Sequence, residues 1–339
     1  MSVFKEMRMA KSRVFVTTRL FPEAEEVLRQ ETEPIFWEGE PPRPSELKEM
    51  VRDAEGLLVM LNDRVDREVM AQAPHLKVIT NMAAGLDNID LEEATRRRIV
   101  VTHTPGILTE ATADLGWALL MATARLIPQG HQFVKEGHFK GWRCHLLLGK
   151  DFVGKTLGIY GMGRIGTAVA RRARGFGMEV IYHNRKPNPE AERATGARYV
   201  SFEELLERSD FLVITAPLNP QTRGRFGLEE FRKMKRDAIL INIGRGPIVK
   251  EGELVQALKE ELIWGAGLDV YEREPEIHEG LLGLDRVVLL PHVGSATWET
   301  RSRMALQAAQ DLVRVLKGER PDYSPNWDSI RRGNNPSHP

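Results

Sequence analysis

The sequence predicts an α/β protein of two domains, each a doubly wound, mostly parallel sheet. Three observations predict it. Short apolar runs alternate with amphipathic helical stretches through most of the 339 residues. A glycine turn at 161–166 stands between an apolar strand and a helix. Two long helical stretches, Thr109 to Lys135 and Thr297 to Lys317, bracket the strands around that turn. In order, strands are expected at Arg13–Thr17, Pro34–Trp37, Gly56–Leu61, Lys77–Thr80 and Val100–Thr102. Helices are expected between them at Pro22–Gln30, Ser45–Arg52, Asp66–Ala73 and Leu91–Arg97. The helix at 109–135 is expected to cross into a second domain. That domain's further strands are Phe211–Thr215, Ile239–Ile243, Gly265–Asp269 and Val287–Leu290. The helix at 297–317 has the length to return. Residues 109–296 then form an inserted domain, 1–108 with 297–339 form the other, and a cleft lies between them.

Residues 155–186, KTLGIYGMGRIGTAVARRARGFGMEVIYHNRK, carry most information. Gly161, Gly163 and Gly166 are spaced G-x-G-x-x-G. The first allows a tight turn, the second lets backbone approach a pyrophosphate, and the third lets the helix sit close on the strand. The helix N-terminus adds free N–H groups and partial positive charge. A lone glycine pattern is weak, but this one has its strand before, its helix after and a second strand about 20 residues on. This is a Rossmann-type dinucleotide site. An acidic residue ending the second strand would mark NAD. The chain has His183, Asn184, Arg185 and Lys186 instead. Arg185 can grip a 2′-phosphate as a planar fork and Lys186 adds a point charge, so NADP(H) is preferred and NAD(H) remains usable. A solvated basic turn is the plainer alternative.

Bulk properties exclude several function classes. Lys+Arg and Asp+Glu each number 48, so net charge is near zero, which argues against nucleic acid or an anionic membrane as main partner. The single cysteine, Cys144, leaves no disulfide framework and fits a reducing cytoplasm. The most apolar helical stretch, Trp117 to Pro128, is broken by Arg125 and too short to span a bilayer. Residues 1–12 are mildly basic without an apolar core, so no signal peptide is expected. The tail from Gly318 is rich in Pro, Asn, Ser and Arg and is expected to be loosely ordered.

Three loops follow strands of the second domain, where such sheets line their ligand crevice. They are Asn242-Ile243-Gly244-Arg245-Gly246, Asp269-Val270-Tyr271-Glu272-Arg273-Glu274-Pro275 and Pro291-His292-Val293-Gly294-Ser295-Ala296. Arg245, Glu274 and His292 suit reduction of a 2-oxo acid. A guanidinium holds the substrate carboxylate at two points and polarises the carbonyl. A histidinium donates the proton as hydride arrives. A carboxylate beside the imidazole favours its charged form. Singly, each has a bland reading: a surface base, a helix-start acid, a hydrogen-bonded loop histidine. Their joint placement in a dinucleotide domain favours the chemistry.

The chain resembles the D-isomer-specific 2-hydroxyacid dehydrogenases, above all their glyoxylate/hydroxypyruvate reductase branch. The matching residues are THTPGILTEATADL (102–115), LGIYGMGRIG (157–166), INIGRGPIV (241–249), GAGLDVYEREP (265–275) and PHVGSAT (291–297). The resemblance runs from about residue 13 to about 318. It implies a flavodoxin-like substrate domain holding the Rossmann-type insert. It implies reduction of glyoxylate and hydroxypyruvate to glycolate and D-glycerate, with Arg245, Glu274 and His292 catalytic. The implied cofactor contacts are Thr112, Gly161, Met162, Gly163, Arg164, Ile165, Gly166, Asn184, Arg185, Lys186, Pro217, Ile243, Gly244, Asp269, His292 and Gly294. Asp269 resembles the residue that holds the nicotinamide carboxamide. Ala84 and Gly85 resemble the loop that receives the substrate carboxylate, with Arg245 and Trp142 also at the substrate. Trp142 resembles a tryptophan that approaches a neighbouring subunit's active site, in a family that is usually dimeric through its nucleotide domain.

Departures and rivals follow. Where the family often has Trp-x-Pro, this chain has Trp142-Arg143-Cys144-His145. His131, His138, Cys144 and His145 match no common zinc spacing; two are expected on a helix and two in a loop, and no metal site is expected. D-phosphoglycerate dehydrogenase is disfavoured because no regulatory domain follows residue 320. Formate dehydrogenase is disfavoured because that relative replaces the Glu partner of the histidine. NAD(H)-sensing corepressors share the fold and the three catalytic residues; the peptide-binding extensions that would favour them are not seen.

Overall fold

The structure, a computed structural model, describes residues 11–332. Residues 1–10 and 333–339 lie outside the described part, and with them most of the segment read for a signal peptide and the end of the tail. The described residues form two compact units, 11–108 with 297–332, and Thr109–Ala296.

The first unit opens with β1 (Arg13–Val16), α1 (Pro22–Glu31), β2 (Glu33–Phe36), α2 (Pro44–Met50) and β3 (Gly56–Val59). It continues with α3 (Arg67–Ala71), β4 (Val78–Asn81), α4 (Leu91–Arg96) and β5 (Val100–His103). All pairs are parallel, in the order β2-β1-β3-β4-β5. Alternation along the strands explains two cores. Phe15, Leu57, Val59 and Ile79 face one side, and Val14, Val16, Leu58 and Val78 the other.

The second unit starts with α5 (Thr109–Ala124) and α6 (Ile127–Lys135). The single helix expected over 109–135 is therefore two. Leu126 takes a left-handed conformation at φ 52°, and Pro128, in the first turn of α6, can open a helix but not continue one. There follow β6 (Thr156–Tyr160), α7 (Arg164–Ala173), β7 (Glu179–His183), α8 (Pro189–Thr195), β8 (Arg198–Tyr199), α9 (Phe202–Arg208) and β9 (Phe211–Ile214). The unit closes with α10 (Leu228–Lys233), β10 (Ile239–Asn242), α11 (Glu251–Lys259), β11 (Gly265–Leu268), α12 (Glu279–Leu282) and β12 (Val287–Leu289). The seven parallel strands run β12-β11-β10-β9-β6-β7-β8. Strand order reverses between β6 and β9, the switch point where such sheets bind ligands. Leu157, Ile159, Val213 and Ile241 pack under α5 and α7, and Leu212, Ile214 and Leu240 pack on the other face. Gly267 on β11 must be small, because a Cβ there would come within 2.8 Å of Leu119 on α5.

The chain then returns to the first unit as α13 (Trp298–Leu316), which packs on α1 and on β3, β4 and β5, and ends in α14 (Trp327–Arg332). The tail from 318 is ordered as far as residue 332, against expectation. Asn326 is buried and pairs like a strand residue with the open edge of β5: its Oδ1 accepts from Val101 N at 2.9 Å and its Nδ2 donates to Ile99 O at 2.9 Å. His103 N adds a bond to Tyr323 O, and Trp327 is buried beside them. Composition missed this because one amide and one indole hold the segment, not its average polarity. Of the four residues weighed for zinc, His131 alone lies on a helix; His138 follows the end of α6.

Candidate active site

The glycine turn connects β6 to α7, and the three glycines differ physically. Gly161 has φ 107°, and a Cβ there would stand 2.5 Å from Ala216 N. Gly166 is buried, and its Cβ would stand 2.5 Å from Gly161 O, so α7 sits tight on the turn. A Cβ at Gly163 would meet no atom within 4 Å. Gly163 is the N-cap of α7, which has no side-chain cap. An exposed glycine before an uncapped helix N-terminus fits a phosphate. Thr215 Oγ1 donates to Gly161 O at 2.6 Å, bracing the turn against β9.

Asn184, at the end of β7, braces the same turn: its Oδ1 accepts from Met162 N at 2.6 Å, and Asn188 Nδ2 donates to Met162 O at 2.9 Å. Arg185 and Lys186 follow, both exposed. No carboxylate stands among residues 183–186. Arg164 is exposed and Ile165 half-buried at the start of α7; Pro217, after β9, is exposed, and its carbonyl is bonded by Thr222 Oγ1.

The three chemical loops leave the carboxyl ends of β10, β11 and β12. Asn242 shapes the first, accepting from Gly244 N at 3.1 Å and donating to Arg245 O at 3.1 Å. Ile243 and Gly244 are buried behind Arg245. In the second loop Asp269 is buried, and its two oxygens accept from Val293 N at 2.8 Å and Gly294 N at 2.9 Å. His292 N donates to Asp269 O at 2.9 Å. Burial pushes the Asp269 carboxyl above its ordinary range, against those N–H groups and the charge of His292. Gly294 also lies against Thr112 of α5.

The decisive contact joins His292 Nδ1 to Glu274 Oε2 at 2.8 Å. Glu274 Oε1 accepts from Tyr271 N at 2.9 Å. Burial pushes the Glu274 carboxyl up, but the hydrogen bond and charge of His292, the Tyr271 N–H and the charge of Arg245 outweigh it, holding the group below the usual carboxylate range. Glu274 thus stays ionised beside the imidazole, and Nε2 is the ring nitrogen that Glu274 does not engage.

Sequence reading missed Tyr271. Its hydroxyl donates to Leu290 O at 2.8 Å, its N–H to Glu274, and its carbonyl lies where a Cβ on Gly246 would stand 1.7 Å away. Tyr271 therefore ties its own loop to the first loop and to Leu290, which leads into the third, and Gly246 has no room for a side chain. Burial first, then the charges of Asp269, Glu251 and Glu274, push the phenol up to about 12, so it keeps the proton it donates. Only tracing the neighbours of each loop reveals it, since a tyrosine in a strand-end loop has no distinguishing spacing.

Three further expected site residues lie outside these loops in sequence. Ala84 and Gly85 belong to the first unit, in the loop after β4, where Ala84 O is bonded by His103 Nδ1 and Gly85 O by Asn81 Nδ2, both at 2.9 Å. Trp142 lies in the second unit between α6 and β6 and is 84% exposed. Among the described residues, no group of three or more His, Cys, Asp or Glu could hold a metal, and no helix is long and apolar enough to cross a membrane.

A family model for the NAD-binding domain of D-isomer specific 2-hydroxyacid dehydrogenases matches residues 117–294. The chain belongs to the D-isomer-specific 2-hydroxyacid dehydrogenase family. A glyoxylate reductase from Thermococcus kodakarensis is 46% identical over 326 residues, which span 95% of this chain and 98% of the relative. Among solved structures, a protein from Thermus thermophilus superposes with a TM-score of 0.88 at 44% identity, over 92% of this chain and 99% of its own. An NADPH-dependent glyoxylate/hydroxypyruvate reductase from Sinorhizobium meliloti, solved with NADP and malonate, has a TM-score of 0.83 at 32% identity, over 93% and 97%. As a member of the 2-hydroxyacid dehydrogenase family, the protein is an oxidoreductase of small 2-oxo or 2-hydroxy acids that uses a nicotinamide cofactor.

Proposed function

We propose that this dehydrogenase reduces glyoxylate and hydroxypyruvate to glycolate and D-glycerate and prefers NADPH to NADH. The hydrogen bond between His292 and an ionised Glu274, with Arg245 close enough to act electrostatically on Glu274, carries the reading. A nicotinamide cofactor, when bound, would supply the hydride. Gly163 and the N-terminus of α7 would hold its pyrophosphate. Arg245 grips the substrate carboxylate in two places and draws electron density from the carbonyl. His292, charged and held by Glu274 at Nδ1, gives the proton at Nε2 to the forming hydroxyl. In the oxidative direction the neutral ring takes that proton back.

The cofactor preference rests on Arg185 and Lys186, exposed at the end of β7 with no carboxylate to repel a 2′-phosphate. The S. meliloti relative, described as NADPH-dependent, agrees. Glyoxylate as substrate agrees with the T. kodakarensis relative, described as a glyoxylate reductase. We further propose a homodimer formed through the exposed apolar segment around 127–153, and, from a lone exposed Cys144, a reducing cytoplasmic setting.

A panel of 2-oxo acids assayed in parallel with NADPH and NADH tests this. Glyoxylate and hydroxypyruvate with NADPH should give the highest kcat/KM. Replacing Arg185 and Lys186 together by Ala should lower kcat/KM for NADPH about 10- to 100-fold, as charge-assisted phosphate bonds are lost. NADH should be little affected. Equal losses with both cofactors reject the phosphate clamp, and no turnover of any 2-oxo acid rejects the function.

A further inference from the structure

Glu251 is the first residue of α11, well away in sequence from the Glu274 loop, and is 5% exposed. Among the described residues its carboxylate bonds no side chain. Oε1 accepts the backbone N–H of Glu272, and Oε2 accepts the backbone N–H of His278 at 3.1 Å. Glu272 returns the contact, its Oε2 accepting from Glu251 N at 3.0 Å. Between the two clasped N–H groups the chain makes a tight turn. Arg273 bridges Glu276 across it, and Glu276 N donates to Arg273 O at 2.9 Å. Glu274 sits in that turn and reaches His292.

We propose that Glu251 is a positioning residue for the Glu274–His292 pair, its buried carboxylate clasping the backbone on both sides of the turn that carries Glu274. The inference rests on reading those two residues as the proton-handling pair. A carboxylate suits the task because it offers acceptors in two directions and no donor. Without the clasp the turn would keep its sequence and lose its anchor. Glu274 would then meet the imidazole over a spread of distances. A misplacement of about 1 Å at a group outside the reacting atoms is enough to slow chemistry about a hundredfold.

Glu251→Gln tests the clasp. The amide keeps one acceptor and sets its NH2 against the second backbone N–H, donor facing donor. With glyoxylate and NADPH, kcat should fall about 10- to 100-fold while substrate KM moves less than about threefold. The basic limb of the reduction profile should move to lower pH, as it should in Glu274→Gln. Adding Glu251→Gln to Glu274→Gln should cost little more, because the contact it positions is already gone. The proton NMR signal of His292 Nδ1–H, assigned by its loss in His292→Ala, should move upfield or broaden in Glu251→Gln. An unmoved basic limb, losses that multiply in the double variant, or an unchanged Nδ1–H signal would each overturn the proposal. If Glu251→Gln does not fold, Glu272→Ala loosens the same clasp from the opposite side and should give smaller changes of the same signs; the absence of all of them would overturn it equally. The NMR arm needs no turnover, so a parent enzyme inactive on every 2-oxo acid would reject the proposed function and still leave Glu251 decided.

Discussion

His292 has φ 53°, a left-handed conformation that costs a residue with a Cβ about 1–2 kcal/mol. Three backbone contacts hold it there: its own N–H to Asp269 O, and the next two N–H groups to the Asp269 carboxylate. Asp269 therefore has work in this unit beside any contact with a nicotinamide, since it fixes where the imidazole points. Glu274 then selects which ring nitrogen is taken. The carboxyl is depressed, so the ionised partner is fully present above its ordinary value of 4.5 and is lost only as pH falls through its lower folded value. Glu274→Gln keeps the shape and removes the charge, so reduction should lose its basic limb at lower pH than in the parent. Oxidation should persist to lower pH for the same reason. Measuring kcat/KM against pH in both directions checks this, and a limb that stays put or moves upward contradicts the pairing. At this scale the sequence was informative where residue type limits chemistry. The glycines of 161–166 and the Arg, Glu and His of three strand-end loops stood out because few residue types suit the jobs proposed for them. Tyr271 and Glu251 did not, because their part comes from which backbone groups lie within reach after folding.

Elements were legible where period and length agreed. The strands β1, β3, β4 and β9 appear within a few residues of their expected limits, because a buried parallel strand reads as a continuous apolar run. The two-residue β8 is too short to leave such a run. The break between α5 and α6 was hidden by apolar spacing that continues through it, although Pro128 marks where a helix must restart. Helix α4 shows how a short element is held. Asp90 caps it by accepting from Glu93 N at 2.9 Å, and the buried Glu93 carboxylate binds Arg96 at 2.7 and 2.8 Å and Arg97 at 2.6 Å. Those bonds, Arg96 first, lower Glu93 to about 2 from an ordinary 4.5. Because the folded value is depressed, the stability it contributes is complete above about 4.5 and fades as pH falls toward about 2. Thermal melts of the parent and Glu93→Gln should therefore differ most near neutral pH and converge across that window. A gap that does not change with pH would place the effect in packing and not in charge.

At the scale of the whole molecule, each unit closes its own sheet but the second leaves an apolar surface open. None of the residues of α6 is buried, and Ile127, Val134, Phe139, Leu148 and Val153 are between 52% and 79% exposed. Trp142, in the same stretch, is more exposed still. Scattered apolar residues on a surface need no explanation, but this many large ones along one segment of about 25 residues are what the proposed interface calls for. A second copy is the occupant we propose, since a two-fold interface lets one segment meet its own equivalent and satisfies both with a single surface. An interface of the usual size, about 800 Å² per partner, needs about 20 residues from each side, which this segment supplies. Light scattering after size exclusion should give the parent about twice 38.4 kDa. Val134→Glu with Phe139→Glu places two like charges per copy in the contact and should shift the mass to that of one chain, with thermal unfolding that becomes independent of concentration. The resemblance of Trp142 to a tryptophan serving the neighbouring subunit's site adds a second readout. If that contact holds here, the monomeric variant should bind NADPH as the parent does and lose kcat/KM for glyoxylate. A parent that runs as a monomer at micromolar concentration, or a doubly charged variant that remains dimeric, would show that the exposed segment has a different partner.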